Sequence, residues 1–512
     1  MKKILMLILD GFGLREETKG NAVKLAKMDC FNKLWDEYPH SVLEASGEAV
    51  GLPENIFGNS EVCHQVIGLG KKIKHKITIA HETIASKKVL ANEELIALVN
   101  HVLENDSTLH LMGLVSKGGV HSHLRYIMNL IPCLKEMGVK KLIFHVITDG
   151  RDTHPQSSLS YIYDLTKVLK ENELGAIGTI CGRYYAMDRD NRYERTKLYY
   201  DLVTLGQGLN VINLENAINN CYLKGITDEF LPPLLLKREA LINEHDGLLW
   251  LNFRTDRSRQ IINAFTNPEF EGFPNRIINN LKVCTLFPEL EIKHANSLFD
   301  SENEDLYPIS EYFADLKFTQ ARIAESEKYS HVTKFFNSEK ALKYKGMDTF
   351  KIESPKVANY AVMPLMSADE VANTTIKCLE KDYDFILTNF CNPDILGHTG
   401  NLEATITALE GLDKILAEVI ASAEDNFYKV IILSDHGNAD TMLGNPDTLS
   451  EDGDAPVTSH SMAPVPFILM DKHVKLKEKG TITMVIPTLL EYVDIAIPKE
   501  MKETKSLIVK EI

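Results

Sequence analysis

The chain has 512 residues, with 56 Lys and Arg against 72 Asp and Glu and a formal net charge of -16. That balance argues against a nucleic-acid groove or an anionic membrane as the main partner, because either demands a basic face. The length, far above one domain of about 150 residues, predicts two or more domains with ample core.

The opening MKKILMLILDGFG imitates a secretion signal. Its apolar run stops at Asp10 without a small-residue cleavage site, so it reads as a first strand and a cytoplasmic protein is expected. No apolar run approaches the roughly 18 residues needed to cross a bilayer. Next comes GNSEVCHQVIG, residues 58 to 68, where Ser60 is a turn residue, a helix cap or a nucleophile; Ser before Glu at the start of an apolar stretch is a common helix beginning. The Lys-rich GKKIKHKITIAH, 70 to 81, is a candidate linker.

Further short apolar runs follow in order: LHLMGLVS, LIFHVITDG, LLWLNFR, DFILTNF, KVIILSDHG and PFILM. Apolar on both faces, they predict parallel strands covered by helices, and the segment 402 to 424 carries apolar positions at helical spacing. The alternation predicts an α/β protein. The acidic segment 296 to 312 is the second candidate linker. Eight cysteines without CxxC spacing suit a reducing compartment rather than a disulfide framework.

Several predicted strands end in polar clusters, where ligands bind in open α/β sheets. In the C-terminal third these are Asp394 and His398 of CNPDILGHTG, Asp435 and His436 of LSDHGNAD, and His460 of VTSHSMAP; Asp10 ends the first strand. Any one alone is a common cap or turn. Together they form a set of oxygen and imidazole donors that suits manganese, zinc or magnesium. Two such metals would clamp a transferring phosphoryl group, and a serine hydroxyl on one of them would become a nucleophile.

A second group is basic: Arg151 in DGRDT, Arg183 and Arg189 in CGRYYAMDRDNRYER, and Arg254 and Arg257 in NFRTDRSRQ. Surface salt bridges with the interleaved aspartates are one reading. Three Arg-bearing loops in an acidic chain favour a clamp for phosphate or carboxylate. Asp152 is suited to acid/base work, and His121 of SKGGVHSH to donate to a phosphoryl group or to bond a turn.

These motifs, with RIAESEKYSHVTKFFN, resemble in order those of the cofactor-independent phosphoglycerate mutases, from about residue 8 to about 470. The resemblance implies an alkaline phosphatase-like metal domain, residues 1–74 and 303–512, with an inserted α/β transferase domain at 75–302. It implies interconversion of 3- and 2-phosphoglycerate in glycolysis and gluconeogenesis without bisphosphoglycerate, through phosphoserine on Ser60. One metal would be held by Asp10, Ser60, Asp435 and His436 and the other by Asp394, His398 and His460, manganese being the first choice. Lys328 would neutralise phosphoryl charge. His121, Arg151, Asp152, Arg183, Arg189, Arg254 and Arg257 would hold the substrate, with Asp152 moving protons between hydroxyls. A monomer with a small-molecule substrate, and domain closure about two linkers, are expected.

Cys63 stands where the family usually has Gly: a strained position if positive φ is needed, otherwise a small filler, with a thiol near the metal as a liability. Thr255 and Lys334 are milder departures. A phosphatase or sulfatase would share the metal ligands without the Arg set, and a phosphopentomutase would differ in the middle motifs. A catalytically dead scaffold would not keep every proposed ligand. A Rossmann dehydrogenase would need a GxGxxG after the first strand.

Overall fold

In a computed structural model of the chain, the described residues are 3–289, 291–300, 306–341, 343–357, 359–445 and 450–510. They form two compact units, one of Met1–Ile73 with Asn303–Ile512 and the other of Lys74–Glu302. The candidate linker 296 to 312 includes residues 301–305, which lie outside the described residues.

The discontinuous unit is built on an eight-stranded sheet ordered Met347–Ile352, Gln320–Glu325, Phe385–Phe390, Ile4–Leu9, Lys429–Leu433, Val465–Leu469, His40–Glu44 and Lys479–Thr481. All six residues of Ile4–Leu9 are buried. The strand is parallel to both neighbours, Phe385–Phe390 and Lys429–Leu433. The all-parallel expectation fails at PFILM, since Val465–Leu469 runs antiparallel to both of its neighbours. That reversal brings the start of the strand, and the His460 loop ahead of it, to the edge where the parallel strands end.

One face of this sheet is covered by the helix Leu402–Asp425. The Asn401 side chain accepts from the Ala404 N–H and caps its start, and Phe427 at φ 60 turns the chain away after its end. Leu409, Leu412, Leu416 and Val419 pack against Leu5, Leu7 and Leu9 in one buried cluster. Each such leucine contributes about 1.5–3 kcal/mol of burial.

The continuous unit has its own eight-stranded sheet, in which Lys282–Thr285, Gly247–Trp250, Leu109–Leu114, Leu142–Thr148 and Ala176–Gly182 lie side by side and parallel. Leu234–Leu235 pairs antiparallel with Ala176–Gly182 at one side. Met112, Leu114, Ile147 and Trp250 anchor its core. A polar chain crosses this apolar sheet: Asp246 Oδ2 lies 3.1 Å from His110 Nε2, His110 Nδ1 lies 3.0 Å from His145 Nε2, and His145 Nδ1 lies 2.9 Å from Thr179 Oγ1. Buried polar groups inside a sheet survive only when partnered in this way.

Candidate active site

In the discontinuous unit, Ser60 is the first residue of the helix Ser60–Leu69, but it is not the cap. The Asn59 side chain accepts from the Val62 N–H, which leaves the serine hydroxyl available. Lys328 Nζ donates to Ser60 Oγ at 2.6 Å, to Asp10 Oδ1 at 2.8 Å and to Asp394 Oδ2 at 2.5 Å. All three ammonium hydrogens are thereby used. Ser60 Oγ also lies 2.9 Å from His436 Nε2. Asp10, Asp394, Asp435 and His436 follow the carboxyl ends of three adjacent parallel strands, and Lys328 follows a fourth. Gly11 belongs to this crowding: at φ +77, a Cβ there would meet Asp394 Cα at 2.7 Å.

The imidazoles are held in one tautomer. His398 Nδ1 lies 2.6 Å from the Thr458 carbonyl, His460 Nδ1 2.9 Å from that of Gly58 and His436 Nδ1 3.3 Å from that of Gly437. A carbonyl oxygen only accepts, so each Nδ1 carries a hydrogen, and in the neutral ring it is Nε2 that presents a lone pair. His398 Nε2 and His460 Nε2 then face each other at 3.1 Å, each 3.3 Å from Asp394 Oδ1. Two lone pairs at that distance repel unless a proton or a cation lies between them.

The carboxylates point the same way. Burial and Asp435 raise Asp10 above the usual carboxylate range. Burial also opposes the charge on Lys328, yet Asp10, Asp394 and Asp435 hold it firmly protonated. Asp435 Oδ2 is buried without a hydrogen bond among the described residues. Donor atoms of Asp394, His398 and His460 lie within 4.8 Å of one another, as do those of Asp10, Asp394 and His436 and those of Asp10, His64 and Asp435. Oxygen and imidazole donors with surplus negative charge fit divalent cations.

Sequence reasoning passed over the residues that hold these ligands in place. Asn389 donates to Asp10 Oδ2 at 2.8 Å and lies 3.2 Å from His64 Nε2, while His64 Nδ1 is 3.2 Å from Asp435 Oδ2. Asn438 donates to Asp394 Oδ1 at 2.8 Å. The available signal was Asn389, next to Thr388 in the mostly apolar DFILTNF run. Cys63 lies within the helix and outside the positive-φ set, so the position does not demand Gly. Its thiol is fully buried, near the Ala45 carbonyl at 3.5 Å, and burial followed by Asp435 pushes it well above its ordinary pKa. It is therefore a protonated filler.

In the continuous unit, the loops of Arg151 and Arg183 follow the neighbouring parallel strands Leu142–Thr148 and Ala176–Gly182, and that of Arg254 follows Gly247–Trp250, with Leu109–Leu114 between. Asp149 organises the first: it accepts from Ser116 Oγ at 2.5 Å, from the N–H groups of Arg151 and Asp152 at 3.1 and 3.0 Å, and from Arg183 at 2.7 Å. Arg183 also pairs with Asp152, whose carboxyl is raised by burial and by Asp149. Arg151 lies 3.4 Å from Glu229, half exposed. Arg189 pairs with Asp256 at 2.7 Å. Burial, then Arg183, Arg254, Arg257 and Arg189, holds His121 well below its ordinary pKa and so neutral. Arg257 donates to the Met187 carbonyl at 2.9 Å, and its Nε is buried without a partner among the described residues. Burial and the neighbouring Arg189 and Arg183 lower it. A cation so placed attracts an anion.

Residues 80–288 match the family described as BPG-independent PGAM N-terminus, and residues 283–488 match the type I phosphodiesterase / nucleotide pyrophosphatase family. Fold and matches together define an α/β phosphoryl-transfer protein with an alkaline phosphatase-like domain. The 2,3-bisphosphoglycerate-independent phosphoglycerate mutase of Clostridium acetobutylicum is 40% identical over 98% of both chains, and that of Clostridioides difficile 39% identical over the same shares. The crystal structure of Leishmania mexicana phosphoglycerate mutase at low cobalt concentration matches with a TM-score of 0.79 at 26% identity, covering 100% of this chain and 98% of that one. The chain belongs to the 2,3-bisphosphoglycerate-independent phosphoglycerate mutases, isomerases that interconvert 3- and 2-phosphoglycerate by intramolecular phosphoryl transfer. Among the described residues, no helix is long and apolar enough to cross a membrane.

Proposed function

We propose that Ser60 carries the phosphoryl group between the two hydroxyls of glycerate. The observation that supports this most is the position of its Oγ, 2.6 Å from the Lys328 ammonium and 2.9 Å from His436 Nε2. In the first half-reaction Ser60 reacts as its alkoxide, its proton given up to solvent and its charge offset by the Lys328 ammonium 2.6 Å away: the Ser60 oxygen attacks phosphorus, the bond from phosphorus to the 3-oxygen breaks, and that oxygen takes a proton. Asp152, raised by burial and Asp149, is the donor we assign. In the second half Asp152 accepts the proton of the 2-hydroxyl, that oxygen attacks phosphoserine, and Ser60 is released.

Arg151, Arg183, Arg189, Arg254, Arg257 and neutral His121 are assigned to the carboxylate and phosphate of the substrate. The Lys328 ammonium offsets charge that builds up on the phosphoryl oxygens. Asp10, Ser60, Asp435 and His436 would hold one divalent ion and Asp394, His398 and His460 a second. We assign manganese over zinc or magnesium from the donor set. When bound, such ions ease deprotonation of a coordinated hydroxyl and offset phosphoryl charge. We further propose a cytoplasmic monomer that needs no bisphosphoglycerate, with 1–74 and 303–512 as the metal domain and 75–302 as the transferase domain.

The test is an NMR time course of manganese-loaded protein with 3-phosphoglycerate and no bisphosphoglycerate, beside Ser60→Ala. The expected result is 2-phosphoglycerate with little free phosphate, and turnover reduced by about 10⁴-fold or more in the variant. Free phosphate as the main product would replace the mutase reading with a phosphatase.

A further inference from the structure

The arginine cluster contains two carboxylates used in different ways. Asp149 is saturated: both oxygens accept, from a hydroxyl, two backbone N–H groups and the Arg183 guanidinium, and its side chain is 1% accessible. Such a carboxylate is scaffold. Asp256 is 31% accessible and loosely held. Its Oδ2 meets Arg189 at 2.7 Å, but its Oδ1 lies 3.4 Å from Arg254 Nε and 3.5 Å from His121 Nδ1. Neither Oδ1 nor His121 Nδ1 makes a hydrogen bond among the described residues, although both atoms are buried. One planar, two-oxygen anion is thus spread over three groups assigned to bind the substrate, and of the three only Arg189 makes a close hydrogen bond with it.

We propose that Asp256 is a resident stand-in for the carboxylate of glycerate, holding Arg189, Arg254 and His121 together in the free protein and yielding them to the incoming substrate. The inference rests on the reading of this cluster as the glycerate site. Without Asp256, nothing of its negative charge would offset the repulsion between the two guanidinium groups, and any small anion could collect there. With it, an arriving carboxylate must displace a competitor, which favours ligands that add further contacts over generic anions. The same competitor assists release: when glycerate lets go of Arg189 and Arg254, Asp256 is at hand to take them. Asp256 in this role is a positioning residue, since it acts through the arginines.

The test compares manganese-loaded wild type, Asp256→Asn and Asp256→Glu, measuring kcat and KM for 3-phosphoglycerate and, by calorimetric titration, the dissociation constants of glycerate and sulfate. In Asp256→Asn we expect glycerate to bind about two- to fivefold tighter, a gain of the size set by one partly exposed ion pair. We also expect KM and kcat to fall together, and Asp256→Glu to restore both. A purely structural role predicts the opposite: weaker glycerate, higher KM and lower thermal stability in the Asn variant, and that pattern overturns the proposal. Tightening of sulfate with glycerate unchanged overturns the assignment to the carboxylate. If wild type fails to turn over 3-phosphoglycerate while glycerate still tightens in Asp256→Asn, the stand-in survives and the mutase reading falls. Normal turnover with an unchanged glycerate constant does the reverse.

Discussion

The two units solve opposite electrostatic problems at the same place in an α/β sheet. In the discontinuous unit, Asp10, Asp394 and Asp435 converge on a single ammonium, Lys328, and the centre carries surplus negative charge. In the continuous unit five arginines converge, and Asp149, Asp152, Asp256 and Glu229 only partly offset them. The first is a place for cations and the second for an anion. A protein of net charge -16 can bind an anionic substrate because charge acts locally, over a Debye length of about 8–10 Å. The contrast also shows in what makes no hydrogen bond among the described residues: the carboxylate atom Asp435 Oδ2 in one centre, the guanidinium atom Arg257 Nε in the other.

The largest way to break the comparison is Lys328→Met, which leaves the carboxylates without their cation. Turnover should fall by about 10²–10³-fold, with KM little changed, because the lost charge acts on the transferring group. A rise in KM alone would place Lys328 in ground-state binding. The mirror experiment is Arg257→Gln in the other centre, where the loss should fall on KM, by about ten- to a hundredfold, the worth of a charged hydrogen bond. If kcat falls instead and KM holds, the two centres are less separate in role than their charges suggest.

A smaller effect tests the fold beneath the arginine cluster. Asp246 is lowered although burial opposes it, since His110 and the N–H groups of Thr108 and Asn243 favour its charged form. A depressed carboxylate stabilises the folded state above its unfolded pKa, near 4, and loses that contribution as pH falls through its folded value. Asp246→Asn should therefore cost about 2 kcal/mol at pH 7 and flatten the acid side of the stability profile, read by denaturant unfolding between pH 3 and 7. Smallest is Cys63→Gly, which should keep turnover and cost about 2 kcal/mol from lost burial and helix propensity, read as a fall in Tm. Loss of turnover there would give the thiol a role that its burial argues against.

Much of each centre was legible in the chain because its cues are local. An apolar run that stops at Asp or Asn marks the carboxyl end of a strand, and Asp394 and His398, four residues apart, meet at 3.3 Å across one helical turn. The strands Ala176–Gly182 and Gln320–Glu325 were missed. Gly178 and Gly182 interrupt the apolar pattern of the first, and Arg322 sits within the second, wholly buried and flanked by the Phe336 and Phe385 rings. No periodicity rule expects a buried guanidinium in a central strand.

Local residue order by itself determined the α/β alternation, the polar strand ends and the two sets of charged motifs, because strand and helix periodicity and turn chemistry act over a few residues. Only the tertiary structure decided that Asn59 rather than Ser60 caps its helix, that Val465–Leu469 reverses and delivers His460, and that Asn389, Asn438 and Asp149 hold the charged side chains. The Asn59 cap is local, but the Ser60 hydroxyl it leaves available meets Lys328, 268 residues on; the other outcomes join groups up to 379 residues apart, and sheet pairing, which brings such groups together, leaves no local trace in the chain.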